Sequence, residues 1–476
     1  MRGARLCATL CLIVGPAAAQ RPIEGNGFAI DNHRGPVMGP SRSVGLGGAY
    51  AALVDGVDGV VFNPAGFAAR SASDLAWFSP DVTLSLNFPQ RNWDNSGEAG
   101  RDFDEFNVVQ FGLGLRFGQL GVGWLGTAQT FLLAARGGER PMSVSFQIHR
   151  VGAAYQFARG EITVGVAARI GTLSMGWSAD ANGITAARFL EYAGASPEFG
   201  LLWRPPDRPL RLGIAWRPEV EAVASTPLVG PPPIREPMGC IPGRAGCFVV
   251  PRTMALPWEL EINVAWMLGR RFNHPWDDPH DARRTRRDEI VAARAQRDQT
   301  HRAALAAAVD PAAREELQVA WERAEPERRA AEDAELATFD WRRRADLRAR
   351  LRDLRGRYLL LTAGVVLYGP VGRGQGIDAF MAQIERPSGR TTVASPRLGA
   401  EGEPIPHRLR LRVGSYLEPS RFDEVSPRVH LTGGFDLRLF RWNAFKLVAP
   451  LDLKVSMTVD YSFNYMDWGI SFGFWR

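Results

Sequence analysis

A chain of 476 residues with 50 Gly, 14 Trp and 25 Phe, a mean hydropathy of −0.16 and a net charge of +6 fits neither a soluble α/β enzyme nor a nucleic-acid binder. The first would carry longer apolar runs, and the second would concentrate its basic excess on one face. Polarity that averages out along the chain suits strands whose two faces differ.

At the N-terminus, Arg2 and Arg5 precede an apolar run from Leu6 to Val14 and then Ala17-Ala18-Ala19, the order of a secretory signal cleaved after Ala19. The run falls short of the roughly 20 residues a helix needs to cross a bilayer. No later segment is long and apolar enough either, so a membrane form of this chain is a barrel. Residues 1–19 are read as signal peptide, 20–73 as an N-terminal plug, 74–269 and 357–476 as two parts of one barrel, and 270–356 as an insertion.

In the plug, Gly45, Gly47, Gly48, Ala49, Ala51 and Ala52 permit close backbone packing, and Ser41 or Ser43 is placed to cap a short helix. Asn63-Pro64-Ala65 follows, with Asn63 able to hydrogen-bond the local backbone and Pro64 ending or redirecting the segment.

Alternating strands come next. Phe111, Leu113, Leu115 and Phe117 oppose Gly112, Gly114 and Arg116; Ile162, Val164, Val166 and Ala168 oppose Thr163, Gly165, Ala167 and Arg169; Leu210, Leu212, Ile214 and Trp216 oppose Arg211, Gly213 and Arg217. Near the end, Leu409, Leu411 and Val413 oppose Arg408, Arg410 and Arg412, and Val429, Leu431, Phe435 and Leu437 oppose His430, Thr432, Asp436 and Arg438. A soluble sandwich alternates in the same way. The signal peptide, aromatic residues near strand ends, and short turns alternating with long loops put lipid on the apolar face instead. About 14 strands fit after Leu75, an even number that returns the C-terminus to the side from which the chain started. Asp467 to Trp475 forms an aromatic terminal strand, with Arg476 after its last tryptophan.

Cys240 and Cys247 are the cysteines of the mature chain, in the Pro/Gly-rich stretch PPPIREPMGCIPGRAGC. In an oxidising compartment they close a small loop disulfide; their spacing and the lack of neighbouring histidines do not suit a metal. Arg270 to Gly356 breaks the strand pattern with 20 Arg against 18 Asp and Glu and no Lys. It reads as a short connector helix and two longer charged helices folded as a hairpin, divided by Pro279, Pro311 and Pro326 and supported by pairs such as Arg294 with Asp298 and Asp346 with Arg350. Loop parity places this insertion on the periplasmic side, where it can meet an envelope protein.

The small-residue segment Gly45 to Ala52, Asp55, Asp58, Asn63-Pro64-Ala65, Pro396-Arg397-Leu398-Gly399 and the run Leu409 to Arg421 resemble the FadL/TodX family of outer-membrane transporters of long-chain fatty acids and other hydrophobic compounds. The resemblance implies an all-β membrane protein: an antiparallel transmembrane β-barrel of about 14 strands, plugged at its N-terminus and interrupted by the charged α-helical insertion. It implies capture of a hydrophobic small molecule outside, passage through the lumen and lateral release into outer-membrane lipid. Arg116, Arg169, Arg217, Arg410, Arg412 and Arg438 are candidate ligand or plug contacts, because guanidinium pairs a carboxylate through two parallel hydrogen bonds. No phosphate loop, metal spacing or Ser-His-Asp arrangement stands out, so no catalysis, cofactor or nucleic acid is expected. The rival reading is a non-transporting barrel that serves as a shuttle or scaffold in an envelope or secretion assembly.

Overall fold

The computed structural model describes residues 21–475 except 34, 72–73, 75, 92–94, 97–102, 134–141, 179–184, 225–248, 252, 277–278, 354–355, 382 and 443–450. The signal segment and both mature-chain cysteines therefore lie outside the described residues. In chain order the strands are β1 (Ala29–Asp31), β2 (Phe78–Asn87), β3 (Gln90–Arg91), β4 (Phe103–Phe117), β5 (Leu120–Leu133), β6 (Met142–Phe157), β7 (Ile162–Ser178), β8 (Thr185–Trp203), β9 (Leu210–Arg217) and β10 (Val220–Ala224). They continue as β11 (Thr253–Leu256), β12 (Glu259–Leu268), β13 (Leu359–Tyr368), β14 (Gly374–Gly376), β15 (Val393–Ile405), β16 (Leu409–Glu418), β17 (Arg428–Trp442), β18 (Leu451–Ser462) and β19 (Tyr465–Phe474).

Each wall strand pairs antiparallel with the next, and β19 returns to β2 through Gly469↔Asn87 to Phe472↔Leu84. The result is a closed barrel of 14 strands to which β1, β3, β10, β11 and β14 are extensions or short additions. Closure removes the sheet edges that could not survive in lipid. Alternation does the rest: Val164, Val166, Trp216, Leu411 and Val413 are exposed on the outside, while Arg169, Arg217, Arg410 and Arg412 beside them are buried within. An apolar outer belt around a polar, filled interior is the architecture of an outer-membrane barrel. No helix among the described residues is long and apolar enough to cross a membrane.

The two barrel ends differ. Tight connections at Gly118-Gln119, Ala158–Gly160 and Pro406-His407 share one end, here the turn end, with the C-terminus. The opposite, loop end carries most of the longer connections, apart from the insertion between Leu268 and Leu359, and also one tight turn at Phe463-Asn464. β8 starts at Thr185, and its inward Leu190 and Tyr192 are packed inside the barrel, so residues 185–196 are wall rather than loop.

At the turn end, β12 stops at Leu268 opposite Leu359, and the charged helices α2 (Pro279–Ala307) and α3 (Pro311–Asp353) lie between these strands. Their helix-forming composition and cross-helix pairs make a hairpin: Arg286 with Glu335, Arg294 with Glu332 and Asp333, Arg297 with Glu325, and Arg329 with Asp298. Two expectations change here. Pro326 does not divide the segment but sits inside α3, where Glu325 pairs with Arg297 and Arg329; the described residues 270–276 form no connector helix. Arg294 also reaches across to α3 rather than along its own helix to Asp298.

Candidate functional site

The plug begins with α1 (Ser41–Gly45), whose N-cap is Pro40, without a side-chain cap. Ser43 Oγ donates to the Pro40 carbonyl, and Ser41 Oγ lies 2.8 Å from Ser471 Oγ on the wall. The serines thus fasten the helix rather than cap it. Two 3-10 turns follow, Val57–Val61 and Pro64–Phe67. Pro64 opens the second turn instead of closing a segment, since a first helical position needs no N–H.

Asn63 is fully buried. Its Oδ1 accepts from Ala65 N at 3.0 Å, and its Nδ2 donates to the Ala51 carbonyl at 3.1 Å and to the Leu201 carbonyl of β8 at 2.9 Å. One side chain therefore caps the turn, ties it to the first half of the plug and docks it on the wall. The wall is shaped to receive it. A Cβ at Gly165 or Gly200 would overlap Pro64, Ala65 or Asn63, one at Gly213 would overlap Ala51, and one at Gly414 would meet Gly47. These inward-facing glycines are where plug backbone lies directly on strand backbone.

At the turn end, arginines clamp the exit of the plug. Arg116 donates to the Ala69 carbonyl at 3.1 Å and pairs with Asp74 at 3.1 Å, and Arg204 donates to the Arg70 carbonyl at 2.9 Å. In mid-barrel a belt of alternating charge crosses consecutive strands. Arg150 and Arg169 meet Glu198, Arg169 and Arg217 meet Glu259, and Arg217 meets Glu261 at 3.2 Å. Arg217 also donates to the plug carbonyls of Val61 and Phe62. Across the lumen, Glu401 takes hydrogen bonds from plug Arg42 and wall Arg412, which pairs in turn with Asp436.

Above the belt the same inward rows turn apolar. Along β6 the buried side reads Val144, Phe146, Ile148 and then Arg150. With Leu173, Met175, Leu190, Tyr192, Met254 and Leu256 these residues form a close-packed apolar layer inside the loop end, the apolar chamber of this barrel, filled by its own side chains. Ile23, Phe28 and Ile30 of the N-terminal chain and Ile377 and Phe380 of α4 (Ile377–Met381) pack into it.

A cavity of about 80 Å³ lies beside this belt–plug contact, lined by Asn32, His33, Phe62, Arg217, Leu256 and Arg397 among others. Both ring nitrogens of His33 are buried without a hydrogen-bond partner, and the ring stands edge-on to Tyr368 at 4.5 Å. Burial, with Arg421 and Arg397 nearby, holds the His33 imidazole well below its ordinary value, so it is neutral and keeps one donor and one acceptor. Arg397 donates to the Gly48 carbonyl and the Tyr368 hydroxyl, but its Nε is unsatisfied. No carboxylate among the described residues lies within ion-pairing distance of it.

The fold is a plugged outer-membrane barrel. No family model matches the chain, and no curated protein does. Among solved structures it is similar to the CymD monoaromatic hydrocarbon channel, at 12% identity and a TM-score of 0.45 over 92% of this chain and 96% of that one. It is also similar to the Ralstonia pickettii toluene transporter TbuX, at 12% identity and 0.45 over 92% and 98%. The P. putida toluene transporter TodX matches at 9% identity and 0.43 over 95% and 99%.

The six arginines singled out from sequence divide by role. Arg116 and Arg217 bind plug carbonyls, and Arg217 alone of the six lines the cavity. Arg169 belongs to the charged belt, Arg412 packs beside plug Gly45, and Arg410 stacks over Trp475 at 4.1 Å. Arg438 sits at the turn end with Asp452 at 2.6 Å. Asp55 meets Arg42 of the plug itself, at 3.6 Å. Sequence reading missed His33, Arg397 and the glycine bed. Gly165 and Gly213 were legible as inward positions, but nothing in the pattern showed what they face.

Proposed function

We propose that this chain carries hydrophobic compounds, long-chain fatty acids among them, across the bacterial outer membrane through its plugged lumen and releases them sideways into the bilayer. The observation that carries the reading is the apolar chamber inside the barrel. Inward faces of outer-membrane strands are ordinarily polar, and a row such as Val144, Phe146 and Ile148 facing inward offers greasy cargo a site that a water-filled pore lacks. The FadL/TodX resemblance of the Asn63-Pro64-Ala65 region supports the same reading.

A sideways exit is best placed at the β8–β9 seam. That ladder is five residues long, from Phe199↔Trp216 to Trp203↔Leu212, whereas the β7–β8 ladder runs from Ile162↔Trp203 to Ser178↔Thr185; the four-pair β19–β2 ladder is shorter still, but none of its residues lines the cavity. Pro197 of β8 and Pro218 and Pro257, in the breaks after β9 and before β12, stand near this level, and proline cannot donate to a ladder. Pro257 also lines the cavity. In this reading the turn end and the hairpin face the periplasm; an epitope at Ala304 that stays inaccessible on intact cells supports that orientation.

The test is binding and uptake of a labelled hydrophobe by the purified chain in liposomes, beside a Phe146→Arg variant that charges the chamber. Uptake above empty liposomes that the variant abolishes supports transport. No difference from empty liposomes overturns it. The scaffold reading has one observation in its favour, a lower lumen filled by plug and ion pairs, and it predicts an intact barrel without ligand binding.

A further inference from the structure

β1 is the one strand of this barrel paired in parallel on both sides among the described residues. Ala29, Ile30 and Asp31 lie opposite Thr253, Met254 and Ala255 of β11, and opposite Gly374, Gln375 and Gly376 of β14. The arrangement follows from β13, which ends at Tyr368, level with Glu259. Beyond that level β11 has no antiparallel neighbour on its far side, and the N-terminal chain fills the slot. A segment that continues into the plug thus stands in the wall.

Its fastening is short. Beyond the three-residue ladders, Ala29 N donates to the Arg373 carbonyl at 3.2 Å, Asn32 N donates to the Ala255 carbonyl at 2.9 Å, and Asp31 accepts from Arg421 Nε at 3.0 Å, while the chain before it is held by Ile23 N on the Gln383 carbonyl and by the Pro22–Ile384 bridge. Arg421 in turn donates to the Gly369 carbonyl at 2.7 Å. Ile30 is fully buried in the apolar chamber, and the next two residues, Asn32 and His33, line the cavity beneath. Moving this strand therefore opens the wall and unroofs the cavity together. A three-residue parallel ladder is the weakest element available for that motion, since strands of five or six residues are the usual stable length.

We propose that β1 is a removable stave, which leaves its slot between β11 and β14 to admit cargo from the loop end and reseats to close the chamber. This rests on the transport reading of the lumen and adds its entry gate. Asp31 with Arg421 is the latch, and the apolar contacts of Ile30 with the chamber are what incoming hydrophobe replaces.

A disulfide between Ala29→Cys and Thr253→Cys locks the stave, and one between Val151→Cys and Ala168→Cys on β6 and β7 serves as control in the same cysteine background. The oxidised lock is expected to slow loading of a fluorescent fatty-acid analogue at least ten-fold, with recovery on reduction and no effect in the control; Arg421→Gln is expected to speed loading several-fold. Loading at the unlocked rate in the oxidised lock overturns the stave. Should the unlocked protein bind nothing, the transport reading fails by itself, and amide exchange of the intact chain still decides the gate: residues 29–31 exchanging at least 100-fold faster than 164–166 supports it, and equal protection overturns it.

Discussion

Replacing Asn63 by alanine isolates what seats the plug. The side chain makes three hydrogen bonds between 2.9 and 3.1 Å in a fully buried position. Loss of the cap costs about 0.5–2 kcal/mol, and the two donated bonds contribute about 0.5–1.5 kcal/mol each, with an added penalty where the Ala51 carbonyl is left dry. A total of about 3 kcal/mol is roughly a 100-fold shift toward the unseated plug, at about 1.4 kcal/mol per decade. The assay is the labelling rate of a Val60→Cys reporter, fully buried in the seated plug, by a membrane-impermeant thiol reagent on the full chain in vesicles. Labelling should accelerate about 100-fold in Asn63→Ala. Asn63→Asp, which keeps the acceptor for Ala65 but loses both donors and buries a charge, should label at least as fast. Gly200→Ala should do the same with the asparagine intact, because its new Cβ takes the space of Asn63 Oδ1. Rates within about three-fold of the parent in all three variants would refute the idea that this contact holds the plug.

The cavity and the hairpin yield further expectations. Arg397→Gln should weaken a ligand with an oxyanion head at least ten-fold, by titration calorimetry, and leave the matching hydrocarbon unchanged, since the guanidinium lacks a carboxylate partner; His33→Phe should narrow the gap between an alcohol and its alkane. Arg217→Met strands Glu261 and leaves Glu259 only its Arg169 partner, and should cost about 3–5 kcal/mol, read from the urea midpoint of the refolded barrel; an unshifted midpoint would mean the belt is not a stabilising element. Arg297 and Arg329 hold the Glu325 carboxyl below its usual range, and Arg294 and Arg297 do the same for Glu332. Depressed carboxylates stabilise above their unfolded value, about 4.3, and lose that stabilisation as pH falls through the folded one. A spin-label pair with one label on each hairpin helix should therefore report a fixed separation at neutral pH and a broadened one below about pH 4; a distribution unchanged down to pH 2.5 would count against the ion pairs.

How far the sequence carries the fold depends on which face of a strand speaks. The outward rows were legible because lipid demands one kind of residue: Val164 and Val166, or Leu411 and Val413, stand against buried neighbours as alternation requires. Loop parity predicts that 270–356 shares an end with the tight turns, and the insertion does leave the barrel at the turn end, where Leu268 stands opposite Leu359. The inward rows were not legible, because three different partners share them. Along β7 the inward row passes from Gly165 under Pro64, through Arg169 in the charged belt, to Leu173 in the chamber. His149 shows the same ambiguity reversed: a polar residue on a barrel strand, it lies on the outward side stacked against Trp124 at 5.8 Å. Pro326 misled for another reason, since a charged hairpin with cross-helix pairs tolerates one missing backbone bond.

The stacking of these layers bears on how a barrel can pass grease yet hold back ions. In the mid-barrel belt Arg150, Arg169 and Arg217 are matched by Glu198, Glu259 and Glu261, so a hydrated ion would have to break a buried pair to pass. Hydrophobic cargo gains nothing there either. In the proposed transport reading the favourable direction from the chamber is sideways, toward Leu256 and Pro257 and the short β8–β9 seam, where the outward neighbours Phe199 and Trp216 face lipid. A plug that stays seated during release follows from this layout. Asn63 and the glycine bed then need to hold rather than to move, and the mobile part is the short N-terminal strand above them. A variant with a weakened seat should accordingly leak small ions before it gains any uptake, whereas a gate made by the whole plug would raise both together.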